Sequence, residues 1–243
     1  MSPGDEEAPA GDRDLSGLSY EWMREVNRRG YSYNFSWLGH RIIQYPQDMI
    51  ALAEIIHVTK PEVVVETGVA HGGSLVFYAS LLSLAVKYGG LQSWKVLGIE
   101  IDLRDEARAA LAESPFADRI KVLEGSSTDT SVFRSVQEEL EGFRTVMVVL
   151  DSNHSHDHVL SELRLYGKLV SDNCYLVVLD TIIETIGEHR ADRPWRVGAN
   201  PHTAVEQFLS ESDDFAVDSA IDHRLLISVA PGGYLRRVNK TIK

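Results

Sequence analysis

Five short apolar runs, each closing on polar residues and each followed by a helical pattern or a polar excursion, constrain this chain more than any other feature. Val63-Val64-Val65 runs into Glu66-Thr67-Gly68, and similar runs follow at residues 95–101 and 120–123. The most hydrophobic of them, 145–150, meets Asp151, and the run 175–179 meets Asp180. Consecutive apolar residues suit strands buried on both faces, which is the condition of a parallel sheet. Between the runs the apolar positions recur at helical spacing, as with Met49, Leu52, Ala53 and Ile56 in a helix expected over 46–59 that Pro46 opens. Further helices are expected from Ser74 towards Tyr88, over 104–112, over 130–140 and over 159–170, with Ser74 capping the first and Thr128 or Asp129 the third. A last helix over 201–209, capped by Asn200, precedes two strands, 215–217 and 225–229, expected to pair as an antiparallel edge. Alternating strands and helices predict an α/β fold with a mostly parallel sheet and helices on both faces.

A length of 243 residues suits one such domain, and 44% hydrophobic with 25% charged residues is ordinary globular composition. The balance of 24 Lys+Arg against 36 Asp+Glu leaves −12, which repels phosphate backbones and argues against nucleic acid or an anionic membrane as partner. Cys174 stands alone, so no intramolecular disulfide and no cysteine-built metal centre can form. The first residues carry Asp5, Glu6, Glu7, Asp12 and Asp14 against Arg13 and lack the regions of a signal peptide. We expect a disordered acidic tail over 1–18, a single domain over 19–243 and a cytoplasmic location. The longest near-apolar stretch, 75–86, falls short of the ~20 residues that span a bilayer.

In an open α/β sheet ligands bind beyond the carboxyl ends of the strands, so the residues there are the candidates for chemistry. The first strand leads into Gly68, Gly72, Gly73 and Ser74, where glycines let a ligand approach the backbone and the next helix offers free N–H groups. The spacing is not GxGxxG, and a plain strand-to-helix turn would also use these glycines. Glu100 closes the second strand, where an acid can accept two ribose hydroxyls; an acid at a strand end can equally be a solvated one.

The densest cluster is Asp151-Ser152-Asn153-His154-Ser155-His156-Asp157-His158. Asp151 and Asp180 end neighbouring strands, about 5 Å apart in a sheet, and offer hard oxygen ligands to Mg²⁺. Two helix N-caps are the plainer alternative. His154, three residues past Asp151, can face the same site as a general base. Full deprotonation of a water-like hydroxyl by histidine costs ~12 kcal/mol, so metal coordination or concerted attack must supply the difference. His156 and His158 are expected to start the next helix. An iron site of two histidines and one carboxylate remains open, though no carboxylate stands two residues past His154 or His156. No GxSxG elbow is present, and Cys174 begins an apolar strand as a buried thiol would. Residues 181–200, with Arg193-Pro194-Trp195-Arg196, are long for a loop and are assigned to the substrate side.

Several segments together carry a resemblance. They are Tyr33-Asn34-Phe35-Ser36-Trp37-Leu38-Gly39, Ile42-Ile43-Gln44, Pro46-Gln47-Asp48-Met49, Glu66 to Ser74, Leu150 to His154, Asp157-His158-Val159, Asp180-Thr181-Ile182-Ile183-Glu184, Arg193-Pro194-Trp195, Asn200-Pro201 and Val229-Ala230-Pro231. Over about 19–238 the chain resembles the family named for cephalosporin hydroxylase and rhamnosyl O-methyltransferases. The resemblance implies a Rossmann-like class I methyltransferase fold with an N-terminal helical or lid segment, S-adenosylmethionine (SAM) as cofactor, Mg²⁺, and a deoxysugar hydroxyl as acceptor. It implies cofactor contacts at Gln44, Glu66, Gly68, Gly72, Ser74, Glu100, Ser126, Ser127 and Asp151, metal contacts at Asp151, Asp180 and Thr181, and His154 as base. The layout is also similar to catechol O-methyltransferase, with His154 where that enzyme keeps a lysine and Thr181 where it keeps an asparagine. His202 and Gly39-His40-Arg41 depart from the family pattern and bear on substrate choice. The family name keeps two other roles open, an oxygenase or methoxylation component acting on a β-lactam and a non-catalytic partner. The expected partners are a small glycosylated substrate and further copies of the chain, since aromatic segments lie near the N-terminus.

Overall fold

The computed structural model describes residues 15–187 and 191–238. Helix α1 (Leu15–Arg28) begins inside the stretch expected as a tail, so residues 15–18 are helical, and residues 1–14 lie outside the described residues. A 3-10 turn then leads into a hairpin of β1 (Phe35–Trp37) and β2 (His40–Ile42). Its turn residues, Leu38 at φ 49° and Gly39 at φ 86°, are both left-handed, matching the right-handed twist of the flanking strands. Trp37 donates through Nε1 to Ser80 Oγ at 2.9 Å, which seats the hairpin on the helix that follows the first parallel strand.

Strand and helix then alternate as α2 (Pro46–Thr59), β3 (Val63–Thr67), α3 (Gly73–Gly89), β4 (Lys95–Glu100), α4 (Asp105–Glu113), β5 (Ile120–Glu124), α5 (Thr130–Glu139), β6 (Val146–Leu150), α6 (His156–Tyr166) and β7 (Tyr175–Val178). The short α7 (Ile183–Ile186) and then α8 (Pro201–Glu211) precede β8 (Phe215–Val217), α9 (Ser219–Leu225) and β9 (Tyr234–Arg237). The seven strands order as β5-β4-β3-β6-β7-β9-β8; β3 to β7 run parallel and β9 runs antiparallel to both its neighbours. Helices cover both faces, as the apolar runs predict. Val63, Val64, Val65, Met147, Val148 and Val149 are fully buried, and each such side chain contributes roughly 1.5–3 kcal/mol of transfer free energy.

Two local expectations differ. Residues 225–229 are not a strand: α9 ends at Leu225, and the chain turns through 226–233 before β9 pairs with β7. Two exposed or half-buried arginines, Arg236 and Arg237, hide the period of β9 from the sequence, whereas the apolar residues before it pack as a turn. Ser74 does not cap α3; Gly72 holds that position, and the Ser74 hydroxyl turns inward to the Glu66 carboxylate. Asp129 and Asn200 do cap α5 and α8, accepting from Ser131 N and His202 N.

The chain lays down β3, β4 and β5 outward on one side, then returns to place β6 and β7 on the other. The loops after β3 and β6 therefore diverge, and a crevice opens at their carboxyl ends. Gly68 sits at its floor with φ 85°, and a Cβ there would lie 2.1 Å from the Asp151 carbonyl oxygen.

Candidate functional site

A cavity of about 890 Å³ fills this crevice, within the range of small-molecule sites of roughly 300–1,000 Å³. Its lining falls into three groups. Gly68, Glu100, Gly125, Ser126 and Ser127 come from the ends of β3, β4 and β5, and Ser74 from the first turn of α3. Met23, Asn27 and Tyr33 come from the N-terminal segment, facing Ile186, Arg193 and Trp195 of the excursion after β7. Between them stand Gln44, Asp151, His154 and Asp180.

In the central group Asp151, His154 and Asp180 each offer a ligand atom, all within 4.8 Å of one another. Asp151 N donates to Thr67 O at 2.9 Å, so its position is inherited from the register of β6 against β3. Gln44 Nε2 donates to Asp151 Oδ2 at 3.3 Å, while the buried Gln44 Oε1 has no partner among the described residues. Burial first, then the charges of Asp180 and Glu66, push the Asp151 carboxyl well above the usual carboxylate range. A half-buried site with converging carboxylates is one that a divalent cation would relieve, and its oxygen-rich donor set suits Mg²⁺. His154 Nδ1 lies 3.1 Å from Asp180 Oδ2, and the Trp195 ring lies 4.8 Å from the imidazole at a tilt of 46°. Burial pulls the His154 pKa down, but the Asp180 charge and hydrogen bond, with Glu162, raise it on balance above the ordinary value.

Thr181 does not stand with this group. It is fully buried outside the cavity lining, and its hydroxyl donates to Pro231 O at 2.8 Å. His156 also leaves the site: Nδ1 meets Thr203 Oγ1 at 2.8 Å and Nε2 meets Gln207 Oε1 at 3.0 Å, both on α8. His158 Nε2 lies 3.0 Å from Ser127 Oγ and 3.1 Å from Ser152 Oγ, tying the β5 and β6 loops together. The cluster thus has one histidine and two carboxylates, the reverse of the iron-binding proportion.

On the β4 side, Glu100 Oε2 accepts from Val69 N at 2.9 Å and Ala70 N at 3.0 Å. One carboxylate oxygen therefore braces the glycine loop, and Oε1 accepts a 3.3 Å contact from Asp102 N on a side chain that lines the cavity. Gly72 does not line the cavity; a Cβ there would meet the Leu111 side chain at 2.9 Å, so its role is packing against α4. Glu66 is fully buried behind the lining, where Ser74 and Tyr78 donate to its two oxygens. Burial pushes its pKa up to about 8, against the lowering effect of those two hydroxyls.

Glu66 therefore keeps its proton in the fold between pH 4.5 and about 8, where an unfolded glutamate has lost it. The stabilisation is complete below pH 4.5 and is lost as pH rises through 8. Denaturant unfolding of ligand-free protein across that window is expected to show falling stability, and Glu66→Gln to flatten the slope. Equal slopes for the two proteins would show that Glu66 ionises freely.

Nothing in the sequence pattern assigns a role to Asp48 or to Glu162, yet both are fully buried beside this site. The available signal was an acid on an apolar helical stripe, since Asp48 shares a face with Leu52 and Ile55.

The family model described as Rhamnosyl O-methyltransferase/CmcI matches residues 29–238. The chain belongs to the Rhamnosyl O-methyltransferase/CmcI family. The rhamnosyl O-methyltransferase of Mycobacterium leprae is 29% identical over 235 residues, covering 92% of this chain and 95% of that protein. Those of Mycobacterium tuberculosis and Mycobacterium bovis are 31% identical over 227 residues, covering 88% of this chain and 85% of theirs. A solved structure of CmcI with Mg and SAM has a TM-score of 0.62 at 19% identity, covering 97% of this chain and 82% of that one. The O-methyltransferase TomG from Streptomyces achromogenes, solved with SAM, has a TM-score of 0.54 at 16% identity, with 94% and 91% covered. At such identities the solved structures share the fold, a Rossmann-like class I methyltransferase sheet. Family and fold together make the chain an O-methyltransferase of the SAM-dependent class. No helix among the described residues is long and apolar enough to cross a membrane.

Proposed function

We propose that this chain transfers the SAM methyl group to a hydroxyl of a rhamnosyl or related deoxysugar carried by a natural product or glycolipid, with Mg²⁺ at Asp151 and Asp180. The observation that carries the reading is the convergence of Asp151, His154 and Asp180 in the same crevice as the glycine loop. The rhamnosyl acceptor is supported by the names of the relatives that align along nearly the whole chain. When bound, SAM supplies an electrophilic sulfonium methyl and the cation supplies Lewis-acid charge that lowers the pKa of a hydroxyl.

Gln44, Gly68, Ser74, Glu100, Ser126, Ser127 and Asp151 form the SAM side, where Glu100 Oε1 is an acceptor for a ligand and the buried Gln44 Oε1 has no partner among the described residues. Gly72 and Glu66 shape that side from behind, and Thr181, next to Asp180 in the chain, is tied by its hydroxyl to Pro231 O. His154 has its Nδ1–H donated to Asp180, which leaves Nε2 as the acceptor for the hydroxyl proton as oxygen attacks. Trp195, packed on the imidazole and overlaid by Arg193 at 4.9 Å, holds the ring and excludes water from it. The chain then works by orientation and charge. We place the reaction in the cytoplasm, in keeping with a lone buried thiol, and in a homo-oligomer, in keeping with exposed Leu15, Leu18, Tyr33 and Leu38 near the N-terminus.

Calorimetric titration of SAM, with Mg²⁺ and again with EDTA, followed by assay on a rhamnosylated acceptor, tests the reading. Binding is expected, with transfer stopped by EDTA and restored by Mg²⁺. An absence of SAM binding under both conditions would overturn the donor; transfer indifferent to EDTA would remove the metal.

A further inference from the structure

Asp48 lies in the first turn of α2, fully buried on the stripe that also carries Leu52 and Ile55. Its Oδ1 accepts from the Ser228 hydroxyl at 2.6 Å and the Tyr234 hydroxyl at 2.7 Å, and its Oδ2 accepts from Val229 N at 3.0 Å. Three donors about 180 residues away converge on this one carboxylate, Ser228 and Val229 from the turn after α9 and Tyr234 from the first residue of β9. That turn in turn holds the chain on both sides of Asp180. Val229 O accepts from Ile182 N at 3.1 Å, Pro231 O accepts from the Thr181 hydroxyl at 2.8 Å, and Gly233 O accepts from Val178 N at 2.8 Å. Asp180 itself stands at φ 57°, a left-handed conformation that a non-glycine residue keeps only when its surroundings over-determine it. Four residues before Asp48, Gln44 reaches Asp151 directly.

We infer that Asp48 is a positioning residue for the active site: through the 228–233 turn it fixes the backbone that presents Asp180 to Asp151 and His154. The start of α2 thereby sets both carboxylates, one by the Gln44 side chain and one through this turn. A buried carboxylate with no cation partner among the described residues is an expensive way to fill a helix face, since an apolar residue would fill it without desolvating a charge. Its use here is geometric: one acceptor group gathers three donors that no apolar side chain could order.

The inference rests on Asp151 and Asp180 as the metal site, and two readouts separate the two claims. Asp48→Asn keeps the volume but leaves one acceptor oxygen and turns an NH₂ group towards donors. Titration of Mg²⁺ and Mn²⁺ into this variant is expected to give about 10–100-fold weaker affinity, while SAM affinity holds. Amide exchange at Ile182 is expected to quicken while that of Val148 and Val149 stays slow. Val136→Ala, in the distant α5, serves as a control for stability loss; it should leave both readouts at wild-type values. Ser228→Ala and Tyr234→Phe, each removing one donor, carry the same comparison if Asp48→Asn does not fold. Metal affinity and Ile182 protection that change no more than in the control would overturn the inference. Wild-type protein that binds neither cation would overturn the metal reading instead, and unchanged Ile182 exchange in the variants would then overturn the positioning role as well.

Discussion

His154→Ala is expected to lower turnover by about 100-fold or more while leaving SAM affinity near that of the wild type. The imidazole has one nitrogen committed to Asp180 at 3.1 Å and a tryptophan ring packed 4.8 Å away, so its other nitrogen is held at one place in the crevice. An alanine there leaves the SAM side untouched, because Glu100, Ser126 and Ser127 come from other strands. The loss should fall on the rate constant and not on the SAM dissociation constant. Because His154 also offers a ligand atom within 4.8 Å of the two carboxylates, Mg²⁺ affinity of the same variant identifies its role. Unchanged affinity with slow turnover marks a base; lost affinity marks a ligand. Turnover close to wild type would remove both roles.

Gly68→Ala is expected to destabilise the protein by about 2–6 kcal/mol and to abolish binding at the proposed metal site in whatever protein still folds. Two costs combine. At φ 85° an alanine is strained, and its Cβ would lie 2.1 Å from the Asp151 carbonyl oxygen and 2.8 Å from Ser152 Cα. These are backbone atoms at the end of β6, which cannot swing aside as a side-chain tip does, so Asp151 itself must move. Gly39→Ala separates the two costs: Gly39 has φ 86° but nothing within 4 Å of an added Cβ, so it should show the backbone strain alone. Denaturant unfolding and Mg²⁺ titration of both variants check this, and a Gly68→Ala protein no less stable than Gly39→Ala would refute the close approach.

The strands and their polar ends are legible from sequence because a parallel strand buried on both faces writes itself as consecutive apolar residues, as at Val63-Val64-Val65 and Val146 to Leu150. The caps at Asp129 and Asn200 are legible because each is satisfied within three residues of itself. Ser74 misleads for a related reason: its composition fits a cap, but a buried Glu66 competes for its hydroxyl, and that competitor is visible only once β3 and α3 are packed. The edge misleads because apolar residues 225–229 pack as a helix end and turn around Asp48, while the pairing strand carries two arginines.

The sequence by itself determined the α/β order, the crevice at the strand ends and the identity of Asp151, Asp180 and His154 as the groups that meet there. These follow from local pattern and from the rule that neighbouring parallel strands bring their ends together. Only the tertiary structure decided that Thr181 turns its hydroxyl to Pro231 and lies outside the cavity lining, that Glu66 is buried behind that lining, and that Asp48 reaches across about 180 residues to hold the turn beside Asp180. Those are matters of which way a side chain faces and which distant donor it meets, and neither is fixed by spacing along the chain.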